Sequence, residues 1–136
     1  MNKEDLLNEL KYHSKVMLKP SPIHGIGVFA IAPIWKGEKD IFSKNSQQWL
    51  GINDAELATL PQHAIPLIEN YCLYDKDQYF VPEEGFKILD LVVFLNHSST
   101  PNIQSLDDGL QFEAIRDISI GEELCIDYGS IVEEER

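Results

Sequence analysis

Positive charge is what this chain has least of. Eleven Lys and Arg stand against 23 Asp and Glu, for a formal net charge of −12 and a pI near 4.6. That balance argues against a phosphate-backbone binder, which needs a basic face. It suits solubility, and it would also steer basic partners inward. Cysteine is scarce too. Cys72 and Cys125 are the only two and lie far apart, so a disulfide framework is not expected and a reducing cytoplasm is the default. With His13, His24 and His63 they show no ligand spacing, and no metal is expected. Long apolar runs are missing. Leu91 to Leu95 is far too short to span a membrane, and the opening MNKEDLLNEL lacks the apolar core of a signal peptide.

What remains is a chain of 136 residues, 43% hydrophobic and 25% charged, enough for one domain with a real core. Leu6, Leu7 and Leu10 give a short amphipathic helix within residues 1–14. Val16-Met17-Leu18 reads as a strand closed by Pro20 and Pro22, and Val28 to Ala32 as a second that stops at Pro33. A turn at Lys36-Gly37-Glu38 precedes a short strand, Asp40-Ile41-Phe42. Asn53 and Glu56 form a capping box for a helix to Leu60, ended by Pro61. Tyr71 to Tyr74 and Tyr79 to Val81 read as strands parted by Asp75-Lys76-Asp77. Leu89 to Leu95 fits a short helix or a buried strand equally. Asp107-Asp108-Gly109 turns into a strand, Leu110 to Ile115; Ile120-Gly121 turns into the last, Leu124 to Ile126; residues 130–136 form an acidic tail. The expected architecture is mostly β, with short strands and small peripheral helices.

The stretch HGIGVFA, His24 to Ala30, matches G-x-G-x-x-A letter for letter. A dinucleotide loop needs a strand before the glycines and a long helix after them. Pro20, Pro22, Pro33 and Gly37 forbid that context, and Val28, Phe29 and Ile31 favour strand. The glycines still permit a tight turn and close backbone approach to a ligand; alone, they fit an ordinary turn. Two further stretches stand out. FLNHSSTPN, Phe94 to Asn102, carries a polar Asn96-His97 pair at the end of an apolar segment, and buried amides must find partners. GEELCIDYG, Gly121 to Gly129, ends on a tyrosine.

In this order, HGIGVFA, NHSSTPN and GEELCIDYG resemble the SET domain, the protein-lysine methyltransferase fold. The resemblance covers residues 15–129 and is nearest in size to small stand-alone SET proteins of bacteria and large DNA viruses. It implies a β-clip fold of short sheets with a C-terminal pseudoknot. It implies S-adenosylmethionine (SAM) as methyl donor, S-adenosylhomocysteine as product, and a lysine in a basic, histone-like or other protein segment as acceptor. The backbone of Gly25, Ile26 and Gly27 would line the SAM site. Phe94, Asn96 and His97 would hold its methionine end and adenine edge. Tyr128 would be the catalytic tyrosine, also touching the donor, with Tyr71 as a second channel tyrosine. No nucleic acid or membrane partner is implied.

The pattern departs in two places. Ser99 stands where many SET enzymes have cysteine, and only eight residues follow Tyr128, without the cysteine-rich segment that normally walls the lysine channel. A second subunit in a homodimer, or residues 1–14, could supply that wall. The competing expectation is a SET-like fold that binds SAM or protein without turnover; a weaker one is a β-rich sugar- or antifreeze-type domain that binds no SAM.

Overall fold

The computed structural model describes residues 2–42, 49–83, 85–86, 89–106 and 111–130. Its central sheet has the strand order β1-β2-β9-β6. Strand β1 (Val16–Pro20) pairs antiparallel with β2 (Ile26–Ala30), from Val16↔Ala30 to Pro20↔Ile26. Pro20 is tolerated because β1 is an edge strand. The connecting residues 21–25 form a tight loop closed by Ser21 N donating to Gly25 O at 2.8 Å. Strand β2 then pairs antiparallel with β9 (Glu123–Ile126) through Val28↔Leu124 and Phe29↔Glu123. On the far side of β9 lies β6 (Asn96–His97), parallel to it through Asn96↔Cys125 and His97↔Ile126. Segments distant in sequence therefore meet along one strand.

The core sits under this sheet. Val28, Ala30, Ile34, Ile41, Leu95, Ile103, Ile118, Leu124 and Ile126 are buried together. Ile34 and Ile118 exchange backbone hydrogen bonds of 3.0 and 2.7 Å, tying the two loops that follow β2 and precede β9. A second sheet has the order β3-β5-β4, from β3 (Trp49–Asn53), β4 (Leu73–Asp75) and β5 (Gln78–Pro82). Lys76 and Asp77 adopt positive φ in the β4–β5 turn, as a tight hairpin of two residues requires. Strands β7 (Ile103–Leu106) and β8 (Gln111–Ala114) form a third, two-stranded sheet.

The helices are peripheral. α1 (Lys3–His13) carries an Asn2–Asp5 capping box. Leu6, Leu7 and Leu10 remain exposed, so the amphipathic face is not spent on the core. α2 (Asp54–Leu57) has the Asn53–Glu56 capping box but ends before Leu60, with residues 58–60 in turns. α3 (Ile65–Tyr71) was not expected; it takes Tyr71, so β4 begins only at Leu73. Strands β3, β6 and β7 were also unforeseen. The expected strand at Asp40-Ile41-Phe42 is absent. Ile41 is buried without a ladder and Phe42 meets Phe112 edge-on at 5.5 Å, so the apolar run reflects packing alone. Leu89 to Leu95 resolves as a 3-10 helix, Leu91–Phe94, capped by Asp90. The turn expected at Asp107-Asp108-Gly109, Leu110 and residues 131–136 of the acidic tail lie outside the described residues. Among the described residues no helix is long and apolar enough to cross a membrane.

Candidate functional site

The site grows from the two flanks of β9. On the β2 side, Ser21 Oγ lies 2.8 and 2.9 Å from the two oxygens of Glu123 and donates its one hydrogen to that carboxylate. The same hydroxyl accepts from Ile23 N at 3.0 Å. Asn96 Nδ2 donates to Glu123 Oε2 at 2.8 Å and to His24 O at 3.0 Å, with Ser21 Oγ at 3.2 Å. Those two donors thus join the turn, β9 and β6. Asn96 is only 5% exposed, and its amide nitrogen is satisfied from within the protein.

Gly25 and Gly27 serve different ends. Gly25 has φ +49 in the left-handed region, with nothing within 4 Å of where a Cβ would stand. Gly27 is buried, and a Cβ there would overlap Glu123 Oε2. Its missing side chain makes room for the carboxylate, not for a ligand. Ile26 is exposed at the start of β2.

Asn102, from the same NHSSTPN stretch, is the second buried amide. Its Oδ1 accepts from Cys125 N and its Nδ2 donates to Glu123 O, both at 2.8 Å. A side chain here does what a neighbouring strand would do for β9.

On the β6 side the phenol is set by two contacts. Tyr128 Oη donates to Leu95 O at 2.8 Å, and Tyr128 N donates to His97 Nδ1 at 3.1 Å. The imidazole and phenol rings lie 5.2 Å apart. That acceptor role requires an unprotonated Nδ1 on His97. Tyr128 is 48% exposed. Partial burial, and secondarily the neighbouring Cys125, raise its pKa above the ordinary phenol value, so the hydroxyl stays neutral at physiological pH.

Phe94 packs on the core and meets Tyr71 edge-on at 6.2 Å, with Phe86 6.5 Å from Tyr71 on another side. Tyr71 thus joins the Phe94–His97 segment through Phe94. Burial pushes the thiols of Cys72 and Cys125 up to about 11, so neither is poised as a thiolate nucleophile.

The expected residues therefore divide. Phe94, Asn96 and His97 lie on one segment, Tyr128 joins it by hydrogen bonds to His97 and Leu95, and Asn96 ties it to the His24–Gly25 turn. Gly25, Ile26, His97 and Tyr128 are exposed. An exposed glycine turn beside an imidazole and a phenol is the kind of surface that a ligand with a zwitterionic end and a flat heterocycle requires. Gly27 and the Asn96 amide nitrogen face inward. Ser21, Glu123, Asn102 and the Leu95 carbonyl were not singled out from the sequence, although all four stand inside or beside the motifs quoted.

Among curated proteins none matches the chain significantly in sequence. Among solved structures, a Plasmodium falciparum protein named as a histone methyltransferase is 23% identical with a TM-score of 0.52, over 85% of this chain and 93% of that one. A chain of the Chaetomium thermophilum Polycomb Repressive Complex 2 is 24% identical with a TM-score of 0.57, over 84% of this chain. The match spans only 16% of that much longer chain. The same complex in an autoinhibited state gives 24% identity and a TM-score of 0.57. Residues 25–129 match the family profile described as the SET domain, and β1, just outside that range, pairs along its whole length with β2. On that match over most of its length, the chain belongs to the SET-domain family.

Proposed function

We propose that the protein is a SAM-dependent protein-lysine N-methyltransferase acting on a lysine in a basic protein segment. Family membership and the histone methyltransferase named among its structural neighbours support methyl transfer. The net charge of −12 supports a basic acceptor, a histone tail being one candidate. A cytoplasmic location belongs to the same proposal.

One observation carries the reading. The single hydrogen of Tyr128 Oη is committed to Leu95 O, so the oxygen turns only lone pairs outward. An acceptor of that kind orients the N–H of a neutral amine and takes weak C–H···O contacts from an activated methyl. A carboxylate would instead hold the amine as ammonium. Free lysine has a pKa of about 10.4, so neutralising it at pH 7 costs roughly 4–5 kcal/mol. Apolar neighbours such as Phe94 and Tyr71 lower that cost by disfavouring the charged form. When bound, SAM supplies a methyl group on a positively charged sulfur, which the amine attacks in line without a covalent enzyme intermediate. The protein's part is alignment and exclusion of water. Gly25 and Ile26 would receive the donor's polar end, and His97 would fix the phenol's turn.

The test is transfer of labelled methyl from SAM to histones and other basic proteins, comparing wild type with Tyr128→Phe. The expected result is a kcat loss of roughly tenfold or more, about 1.4 kcal/mol of barrier, with SAM affinity nearly kept. An unchanged rate removes Tyr128 from its role. The second reading, a module that binds SAM or protein without turnover, draws on the exposure of Tyr128 and Tyr71, at 48% and 39%. SAM binding by calorimetry with no transfer to any protein would favour it. For an active enzyme, a second copy of the chain or residues 1–14 would close the lysine channel.

A further inference from the structure

We infer that Glu123 is a positioning residue for the donor-binding turn, acting through Ser21 and Asn96. The inference rests on the proposed SAM site at Gly25 and Ile26. Glu123 lies on β9 opposite Phe29, and its side chain crosses β2 over the one residue there without a Cβ to block it, Gly27. It arrives between two donors. Ser21 Oγ and Asn96 Nδ2 both give it a hydrogen at 2.8 Å, and hydrogen bonds to a charged carboxylate are the stronger kind.

The geometry of the turn depends on this. With its hydrogen held by Glu123, Ser21 Oγ is left to accept, and it does so from Ile23 N. Asn96, held by the same carboxylate, uses its other hydrogen on His24 O. One carboxylate thereby fixes both ends of the loop whose exposed Gly25 would meet the donor. A glutamine in its place can keep the oxygen that both donors reach, Oε2 at 2.9 Å from Ser21 Oγ and 2.8 Å from Asn96 Nδ2, but it removes the negative charge and puts an NH2 donor 2.8 Å from Ser21 Oγ, where it competes with Ile23 N for the hydroxyl's lone pairs.

The experiment compares the full-length wild type with Glu123→Gln, Ser21→Ala and Ser21→Thr. Amide hydrogen exchange is read first, because it needs no ligand. Glu123→Gln and Ser21→Ala should speed exchange at Ser21 and Ile23 by about tenfold or more relative to β7 and β8, while Ser21→Thr, which keeps the hydroxyl, should not. SAM titration follows. Kd and KM for SAM should rise about tenfold in the first two variants, with kcat at saturating SAM and KM for the protein substrate within about threefold of wild type. A merely structural role would lower the melting temperature without that split. Exchange confined to wild-type rates in the loop, or unchanged SAM affinity in variants that melt cooperatively, would overturn the inference. If Glu123→Gln does not fold, Ser21→Ala decides by the same readings. Wild-type protein that bound no SAM would instead overturn the functional reading, and the exchange result would still decide whether the carboxylate holds the turn.

Discussion

The two flanks of β9 are built by opposite means. Towards β2 the strand is joined by only two residue pairs, Val28↔Leu124 and Phe29↔Glu123, and by a side-chain cluster of Ser21, Glu123 and Asn96. Towards β6 it is joined by parallel backbone pairing, extended by Ser98 N to Ile126 O at 2.9 Å. Gly27, on the first flank, and Asn96, whose side chain reaches that flank from β6, are buried; His97 and Tyr128, on the second, are exposed. The difference has a physical reason. Polar groups removed from water must satisfy one another, and a cluster that does so is stiff. A phenol in the role proposed for Tyr128 needs one open side. The fold thus separates holding the His24–Gly25 turn from presenting the tyrosine, and β9 couples the two.

The largest break in this scheme is expected at Asn102, whose side chain bonds Glu123 O and Cys125 N along one edge of β9. Asn102→Ala leaves Cys125 N and Glu123 O without their side-chain partner. Each orphaned buried group costs about 1–3 kcal/mol. Urea unfolding should show a loss in that range or above, and a variant as stable as wild type would mean that water or a shifted backbone takes over.

The two glycines sharpen the comparison. At Gly27, an added Cβ must displace the Glu123 carboxylate from Ser21 and Asn96, so Gly27→Ala should lose about 1–3 kcal/mol. At Gly25 an alanine meets open space but must hold φ +49, a conformation that costs it roughly 1–2 kcal/mol. The mechanisms separate in a double-mutant cycle. In a Glu123→Ala background the Gly27→Ala loss should shrink by more than half, because its obstacle is gone. The Gly25→Ala loss should persist undiminished. Equal behaviour of the two glycines would show that the carboxylate does not fill the space beside Gly27.

What was legible in the sequence and what was not follows from range. Strands β1, β2, β5, β8 and β9 announced themselves through local apolar and aromatic runs bounded by Pro, Gly or Asp. The capping box at Asn53 is a spacing of three residues. By contrast β6 is two residues long, and its pairing with β9 joins positions 29 apart, as Asn96↔Cys125. The Ser21–Glu123 contact joins positions 102 apart. Nothing local marks either. Resemblance to a family supplied Asn96, His97 and Tyr128 because their motifs are contiguous. It gave no hint that Gly27 makes room for Glu123, which only the folded chain brings together. The strand expected at Asp40-Ile41-Phe42 erred in the other direction, since apolarity there serves burial of Ile41 and not pairing.

The smallest expected effect tests the open flank. The pKa of Tyr128 is raised first by burial and then by Cys125. The folded state therefore holds the phenolic proton to higher pH than the unfolded chain, whose tyrosines release it near pH 10. Below that value the term is constant. As pH climbs past it, the unfolded chain gains by ionising while the folded protein does not, and this part of the stability declines until the folded phenol also titrates. Urea midpoints of wild type and Tyr128→Phe should keep a fixed separation from neutral pH to about pH 9 and change only above about pH 10, with wild type moving toward the lower midpoint. Because the ring is half exposed, the change should be slight. A separation that already shifts near neutral pH would mean that Tyr128 ionises where an acceptor for a neutral amine must stay protonated, and the division between a holding flank and a presenting flank would lose its chemical basis.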